Sequence, residues 1–104
     1  DVVEAILLAA TTPAAEGQIF NLGGDPLSLR ETVDVLVDVA ASPGGYRLVP
    51  FPPERKAIDI GDVYTDYTKI TTALGWRPKT SLRDGLTNAV AFYRRYWEHY
   101  AAAE

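Results

Sequence analysis

Residues 18–31 read Gln-Ile-Phe-Asn-Leu-Gly-Gly-Asp-Pro-Leu-Ser-Leu-Arg-Glu, and this stretch decides the predicted fold. Its first part, 18–22, is a short apolar run with strand character, and Gly23-Gly24-Asp25-Pro26 is a strong turn signal. Ser28 and Glu31 then have the spacing of a capping box, in which the two side chains bond free backbone N–H groups at the start of a helix. The stretch therefore predicts a strand that turns into a helix.

Helical periodicity flanks this stretch on both sides. Residues 1–11 carry apolar side chains at helical spacing, and so does the segment that follows Ser28. We expect one buried face on each of these two helices. The expected faces are Val3, Ile6, Leu7 and Ala10 in the first helix and Val33, Leu36, Val37 and Ala40 in the second.

The second half of the chain predicts one more strand and two more helices. Tyr46–Val49 forms the strand, and the prolines after it predict a long irregular loop over 50–63, a length that is more often functional than spare. A short helix over 66–74 ends at Gly75, which suits a C-cap. Ser81 caps the last helix. Its expected apolar face is Leu82, Leu86, Val90, Tyr93 and Trp97.

The order helix, strand, helix, strand, loop, short helix, long helix predicts an α/β fold with two short strands and about four helices. Strands that alternate with helices favour parallel pairing through crossovers. Two strands are too few for a stable sheet, so we expect the chain to be part of a longer protein. The lack of any Met and a first helix that opens at Asp1 favour the same interpretation.

Composition excludes several classes of function. The net charge of −4, without a basic run, argues against nucleic acid and anionic membranes as partners. The absence of cysteine excludes disulfides and thiol chemistry, and it fits a cytoplasmic protein. No apolar stretch reaches the roughly 18 residues that a membrane span needs. The single histidine, His99, predicts neither a zinc site nor a catalytic triad.

Several landmarks, taken in order, resemble the C-terminal third of extended short-chain dehydrogenases, the epimerase/dehydratase family typified by UDP-glucose 4-epimerases and dTDP-glucose 4,6-dehydratases. The resemblance covers nearly the whole chain and rests on the joint order of the motifs. The landmarks are Asp1-Val2-Val3, Phe20-Asn21-Leu22-Gly23-Gly24, Ser28 with Glu31, Gly61-Asp62, Asp66, Lys69, Leu74-Gly75-Trp76-Arg77-Pro78 and Ser81-Leu82-Arg83-Asp84-Gly85-Leu86.

The resemblance implies a parent enzyme that is NAD-dependent, with the cofactor bound by an N-terminal domain outside this chain. Family members carry a glycine-rich dinucleotide loop and a catalytic Tyr-x-x-x-Lys pair. Neither occurs here, since Tyr64, Tyr67 and Tyr93 lack a Lys four residues later. We therefore expect residues 1–104 to be the C-terminal substrate-binding domain, without the Rossmann core, without its own cofactor and not catalytically competent alone.

The resemblance also implies the activity and the partners. UDP-glucose 4-epimerase-like chemistry is the first expectation for the parent, and dehydratase, decarboxylase and reductase activities remain alternatives. We expect a nucleotide-sugar as substrate, a homodimeric parent, and self-association of the isolated chain through faces that the cofactor domain would cover. A second hypothesis is a stand-alone, non-catalytic module that binds a nucleotide or a protein.

Three residues are candidates for substrate binding. In the family an Arg precedes the position of Asp66 by about ten residues, so Arg55 is the proposed diphosphate contact and Lys56 its close rival. Solvated surface charges are the alternative for both. Asn21 lies where the first predicted strand meets its turn, and it either touches substrate or bonds the turn backbone. For Asp62 and Asp66 we favour backbone capping over acid/base chemistry, with Lys69 as an ion-pair partner of one of them.

Overall fold

A computed structural model describes residues 1–101 of the chain. This range contains five α-helices and a 3-10 turn, and none of its residues belongs to a β-strand. The helices are α1 (Val2–Thr11), α2 (Leu29–Val39), α3 (Pro53–Lys56), α4 (Thr68–Leu74) and α5 (Leu82–Ala101), and the 3-10 turn is Pro13–Ala15. No helix within the described range is both long and apolar enough to cross a bilayer.

The chain folds as two compact units. Unit 1 combines Asp1–Pro26 with Val49–Lys79, and unit 2 combines Leu27–Leu48 with the chain from Thr80 onward. Unit 1 therefore contains α1, the 3-10 turn, α3 and α4, whereas unit 2 contains α2 and α5.

The α/β prediction with two short strands is wrong for the described residues, which are helical or irregular. Residues 18–22 lie in unit 1 and nearly all of 46–49 lies in unit 2, so neither segment has a strand beside it within its own unit. A strand exists only when its backbone N–H and C=O groups pair with a neighbour. The side chains of this segment still alternate between buried and exposed although no strand forms. Phe20 and Leu22 pack against the core, while Ile19 and Asn21 are exposed.

The core of unit 1 is formed by Ala5, Ile70 and Trp76, which are at most 3% exposed. Trp76 packs edge-on against Tyr67, with ring centroids 6.1 Å apart, and its Nε1–H donates to the Asp1 carbonyl at 3.2 Å. Helix α4 ends at Gly75, whose φ of +71° favours glycine, as the sequence predicts. These contacts hold α1 and α4 around one indole ring.

The predicted buried face of α1 is wrong. Ala5 is buried and Leu8 packs against the core, whereas Val3, Ile6 and Leu7 are 60% exposed or more. Ala10 is exposed as well. Apolar residues surround most of this helix, so periodicity alone does not identify the covered side. The bulky Trp76 packs where α1 presents the small side chain of Ala5, and that contact selects the buried face.

Unit 2 is built from α2 and α5, which pack against each other. The predicted capping box is present at the start of α2: the Glu31 N–H donates to Ser28 Oγ at 3.2 Å, and the Ser28 N–H donates to Glu31 Oε2 at 2.8 Å. Ser81 likewise accepts from the Asp84 N–H at 3.1 Å at the start of α5. Local polar contacts therefore fix both helix starts.

Polar contacts also join the two helices of unit 2. Arg83 forms an ion pair with Asp38 at 2.6 Å, and Arg94 donates to the Ala40 carbonyl at 2.6 Å, just beyond the end of α2. The backbone of α5 breaks at Tyr96, where φ is −114° and ψ is 15°. This break lies between Tyr93 and Trp97, the last two residues of the apolar face predicted for α5.

Candidate functional site

Helix α3 carries the two proposed diphosphate contacts. The sequence predicts an irregular loop over 50–63, but Pro53 opens a four-residue helix, for which its fixed φ and missing N–H are suited. The Lys56 N–H donates to the Pro52 carbonyl at 3.1 Å, and the Ile58 N–H donates to the Arg55 carbonyl at 3.1 Å. This single turn places two adjacent cations in its last residues.

Both cations are available to a ligand. Arg55 and Lys56 are exposed, and neither takes part in an ion pair within residues 1–101. By contrast, Lys79 is paired with Glu4 and Arg83 with Asp38. An unpaired guanidinium beside an ammonium is suited to two phosphate groups, because charge-assisted hydrogen bonds are about twice as strong as neutral ones.

Asn21, the third proposed contact, lies in the same unit as α3 and is exposed. Its segment is held by a close backbone approach at Gly23. A Cβ on Gly23 would lie 2.7 Å from the Thr65 carbonyl oxygen and 3.1 Å from the Tyr67 ring. The chain around Asn21 therefore packs directly against the residues that lead into α4.

The carboxylates of the same region cap backbone groups. Asp66 Oδ1 accepts from the Thr68 N–H at 2.8 Å. Hydrogen bonds with the Thr68 side chain, and then with its backbone, hold the pKa of Asp66 below its ordinary value of 3.8. The predicted start of the short helix at 66, with Asp66 as its cap, is wrong: α4 begins at Thr68 with Tyr67 in the N-cap position, and Asp66 bonds the first helical N–H from the position before Tyr67. Asp59, rather than the predicted Asp62, bonds the loop backbone: its Oδ1 accepts from the Gly61 N–H at 3.3 Å. A carboxylate with a lowered pKa is a poor general acid at neutral pH.

Lys69 does not form the predicted ion pair within the described range. Its Nζ lies instead 5.3 Å from the centroid of the Phe20 ring, in cation–π geometry. Phe20 directly precedes Asn21, so this contact is a second link between the Asn21 segment and α4. No group of three or more His, Cys, Asp or Glu residues within 1–101 is arranged to hold a metal ion.

Sequence reasoning missed a groove in unit 2. An apolar cavity of about 610 Å³ opens between α2 and α5, and we call it the α2–α5 groove. Its apolar lining comprises Leu36, Leu86, Ala89, Val90, Tyr93 and Trp97, and Arg94 completes it. The difference in helix length could have indicated this groove. Helix α5 has 20 residues and α2 has 11, so α2 cannot cover the whole apolar stripe of α5.

The aromatic side chains near the end of α5 pack on one another. Phe92 contacts Tyr93, Tyr96 and Tyr100 with ring centroids 4.8 to 6.3 Å apart. Tyr96 also packs near His99, at 6.2 Å between ring centroids. Such mutual packing favours a structural role for these rings over base stacking.

Comparison with known proteins gives matches along most of the chain. It is 30% identical to a UDP-D-apiose/UDP-D-xylose synthase of Oryza sativa subsp. japonica over 94% of this chain. It is 35% identical to a dTDP-glucose 4,6-dehydratase of Streptomyces griseus over 86%, and 28% identical to an uncharacterized UDP-glucose epimerase of Bacillus subtilis strain 168 over 88%. The chain spans 28% of the length of each of these three relatives.

No protein-family profile matches the sequence, and no solved structure matches it. The three relatives are named as a nucleotide-sugar synthase, a dehydratase and an epimerase, and each match extends over at least 86% of this chain. The chain therefore belongs to the extended short-chain dehydrogenase/reductase family of nucleotide-sugar epimerases and dehydratases.

Proposed function

We propose that residues 1–104 form the C-terminal, nucleotide-sugar-binding domain of an NAD-dependent sugar epimerase or dehydratase, with UDP-glucose 4-epimerase-like chemistry as the first expectation. The names of the relatives support this class of substrate, because each refers to a UDP- or dTDP-linked sugar. The structural observation that carries the proposal is the exposed pair of cations on α3, neither of which forms an ion pair within residues 1–101.

In this proposal Arg55 bonds the diphosphate through its planar fork, which matches phosphate oxygens better than a lysine does. Lys56 adds a second positive charge on the same turn. Asn21 offers one amide donor and one acceptor to the sugar or the nucleoside. The role of the chain is to bind and orient the substrate, and the hydride chemistry belongs to another part of the enzyme.

The glycines of this chain do not fit a dinucleotide. The side of Gly23 that lacks a Cβ faces the Thr65 carbonyl and not a ligand site. Helix α2 begins only at Leu29, so the Gly23-Gly24 turn does not lead directly into the N-terminus of this helix, as a dinucleotide-binding turn does. The proposal therefore places NAD on a different domain. Cytoplasmic location and a homodimeric parent complete the proposal, as the family resemblance implies.

Titration of the chain with UDP-glucose, followed by NMR of the backbone amides, tests the binding role. Arg55→Ala should weaken binding by about tenfold, which corresponds to one lost charge-assisted contact. Lys56→Ala should weaken it less. Arg77→Ala is the matched control, because Arg77 is an exposed arginine of the same unit that has no place in the proposed site. Unchanged affinity in both α3 variants would remove the cation pair from the site.

The domain assignment has its own test in the coding DNA upstream of the Asp1 codon. We expect an open frame of about 220 codons, the size of a cofactor domain with linkers, that encodes a glycine-rich turn and a Tyr-x-x-x-Lys pair. A start codon directly ahead of Asp1 would refute the assignment. It would leave the alternative of a stand-alone binding module.

A further inference from the structure

The segment around Asn21 is held in place without backbone pairing. Within the described range, residues 19–24 form no hydrogen bond between backbone groups. Phe20 is half-buried and packs against the core of unit 1, and Leu22 does the same. Side-chain contacts therefore decide how firmly this irregular segment is fixed, because a backbone without hydrogen bonds and with few packing contacts is mobile.

Two contacts with the region of α4 flank Asn21 along the chain. Before Asn21, the Phe20 ring has the Lys69 Nζ 5.3 Å from its centroid. After Asn21, Gly23 comes so close to Thr65 that an added Cβ would lie 2.7 Å from the Thr65 carbonyl oxygen. The Asn21 side chain itself is exposed and forms no hydrogen bond within residues 1–101. Its amide is thus available to a ligand, while its backbone is held on both sides.

The ammonium of Lys69 has the Phe20 ring as its neighbour and no carboxylate. Lys69 forms no ion pair within residues 1–101, whereas Lys79 of the same unit pairs with Glu4. The next residue, Ile70, is 1% exposed, so the core fixes the turn of α4 from which Lys69 extends. An exposed cation–π contact favours the arrangement that contains it by about two- to fivefold.

We propose that Lys69 is a positioning residue of the nucleotide-sugar site, which acts through Phe20 to hold Asn21. The cation–π contact fixes the backbone at Phe20 against α4, and the adjacent Asn21 amide is presented to the ligand in one orientation. Preorganisation of this kind increases affinity because less conformational freedom is lost on binding. The inference rests on the proposed function, since it assigns Asn21 to the same site.

Backbone amide relaxation, measured by NMR on the free chain, tests the positioning without any ligand. Lys69→Gln removes the charge and keeps a good helix former. We expect the order parameter of the Asn21 amide to fall from about 0.85, typical of rigid backbone, toward the flexible range below about 0.6. Lys69→Arg keeps a cation that can lie over the ring, and it should restore the wild-type value. The Ile70 amide verifies that α4 stays folded, and Arg77→Gln, which removes one exposed positive charge from the same unit, is the matched control.

Titration with UDP-glucose then tests whether the positioning matters for binding. Lys69→Gln should weaken binding by about two- to fivefold, and Lys69→Arg and Arg77→Gln should bind like the wild type. The loss in Lys69→Gln cannot exceed the loss in Asn21→Ala if Lys69 acts through Asn21. For the same reason, Lys69→Gln should cause no further loss when it is added to Asn21→Ala.

A lower order parameter at Asn21 in Lys69→Gln, restored in Lys69→Arg, supports the proposal when the effect on binding also disappears in the Asn21→Ala background. An unchanged order parameter overturns it even if UDP-glucose binds. Equal losses of affinity in the wild-type and Asn21→Ala backgrounds overturn it too, because Lys69 would then contact the ligand directly. A wild-type chain that does not bind UDP-glucose overturns the proposed function, and this inference with it.

Discussion

Gly23→Ala should destabilise unit 1, whereas Gly24→Ala should not. The two glycines are adjacent in the sequence and receive the same added methyl group. On Gly23 that methyl carbon would lie 2.7 Å from the Thr65 carbonyl oxygen and 3.2 Å from the Thr65 Cβ. On Gly24 it would meet no atom within 4 Å. The pair therefore isolates one close contact from the general effect of replacing glycine.

The expected size of the effect follows from what must move. Ordinary contact for a Cβ begins near 3.4 Å, so the backbone at Thr65 must shift by several tenths of an ångström. Thr65 directly precedes Asp66, whose carboxylate accepts from the Thr68 N–H at the start of α4, so the shift disturbs that bond too. Overpacking of this kind costs about 1–3 kcal/mol. Gly24→Ala restricts the unfolded chain and should change the unfolding free energy by less than about 1 kcal/mol, in the stabilising direction.

Urea unfolding followed by tryptophan fluorescence measures the difference. Trp76 is 3% exposed, so its emission reports the loss of the unit 1 core, whereas the exposed Trp97 changes little. We expect the midpoint of Gly23→Ala to fall below that of Gly24→Ala by an amount that corresponds to about 1–4 kcal/mol. Equal midpoints would refute the reasoning, because the Thr65 backbone would then move away from the added methyl group without any loss of stability.

Three further predictions concern side chains. Ser28→Ala removes the cap of α2 and should lower the unfolding free energy by about 1 kcal/mol in urea melts. Hydrogen bonds from the Ser28 side chain and backbone hold the pKa of Glu31 below its ordinary 4.5. The stability that they add is present above that value and lost as pH falls through the lowered pKa. Ser28→Ala keeps the backbone bond, so NMR should find the Glu31 pKa raised toward 4.5. The hydrogen bond from Tyr46 to Asp34 raises the pKa of Tyr46 above 10.0. The stability that this bond adds is therefore lost as pH rises through the raised pKa. Asp34→Ala should lower the Tyr46 pKa in an NMR titration. Trp76→Phe should lower the unfolding free energy by about 1–3 kcal/mol, and a Trp97→Phe variant with the same loss would contradict the assigned core.

Features that depend on a few neighbouring residues could be predicted from the sequence. The capping box at Ser28 and Glu31, the helix start at Ser81 and the left-handed Gly75 are all present. Each of these motifs is decided by hydrogen bonds or sterics within about one helical turn, so the local sequence contains all the necessary information. Helix α3 is likewise a local feature. The Pro at its start favours a helix N-terminus, although the sequence analysis predicted an irregular loop there.

Features that depend on distant residues could not be predicted. Residues 18–22 have the apolar alternation of a strand, but pairing needs a neighbour that the local pattern does not supply. The buried face of α1 is chosen by Trp76, which is 71 positions from Ala5 along the chain. The candidate site divides in the same way. Sequence motifs led to Arg55 and Lys56, whereas the exposure and missing ion pairs that favour them needed the fold.

The division into two units gives the chain an interleaved topology. It passes from one unit to the other after Pro26, Leu48 and Lys79, so neither unit can be excised as one continuous segment. Residues 41–66 are all exposed, and a protease would cut most readily there. One cut in that stretch leaves Ala5 on one piece and Trp76 on the other, with α2 and α5 separated in the same manner. The nicked halves would therefore stay together as a non-covalent complex and come apart only on unfolding.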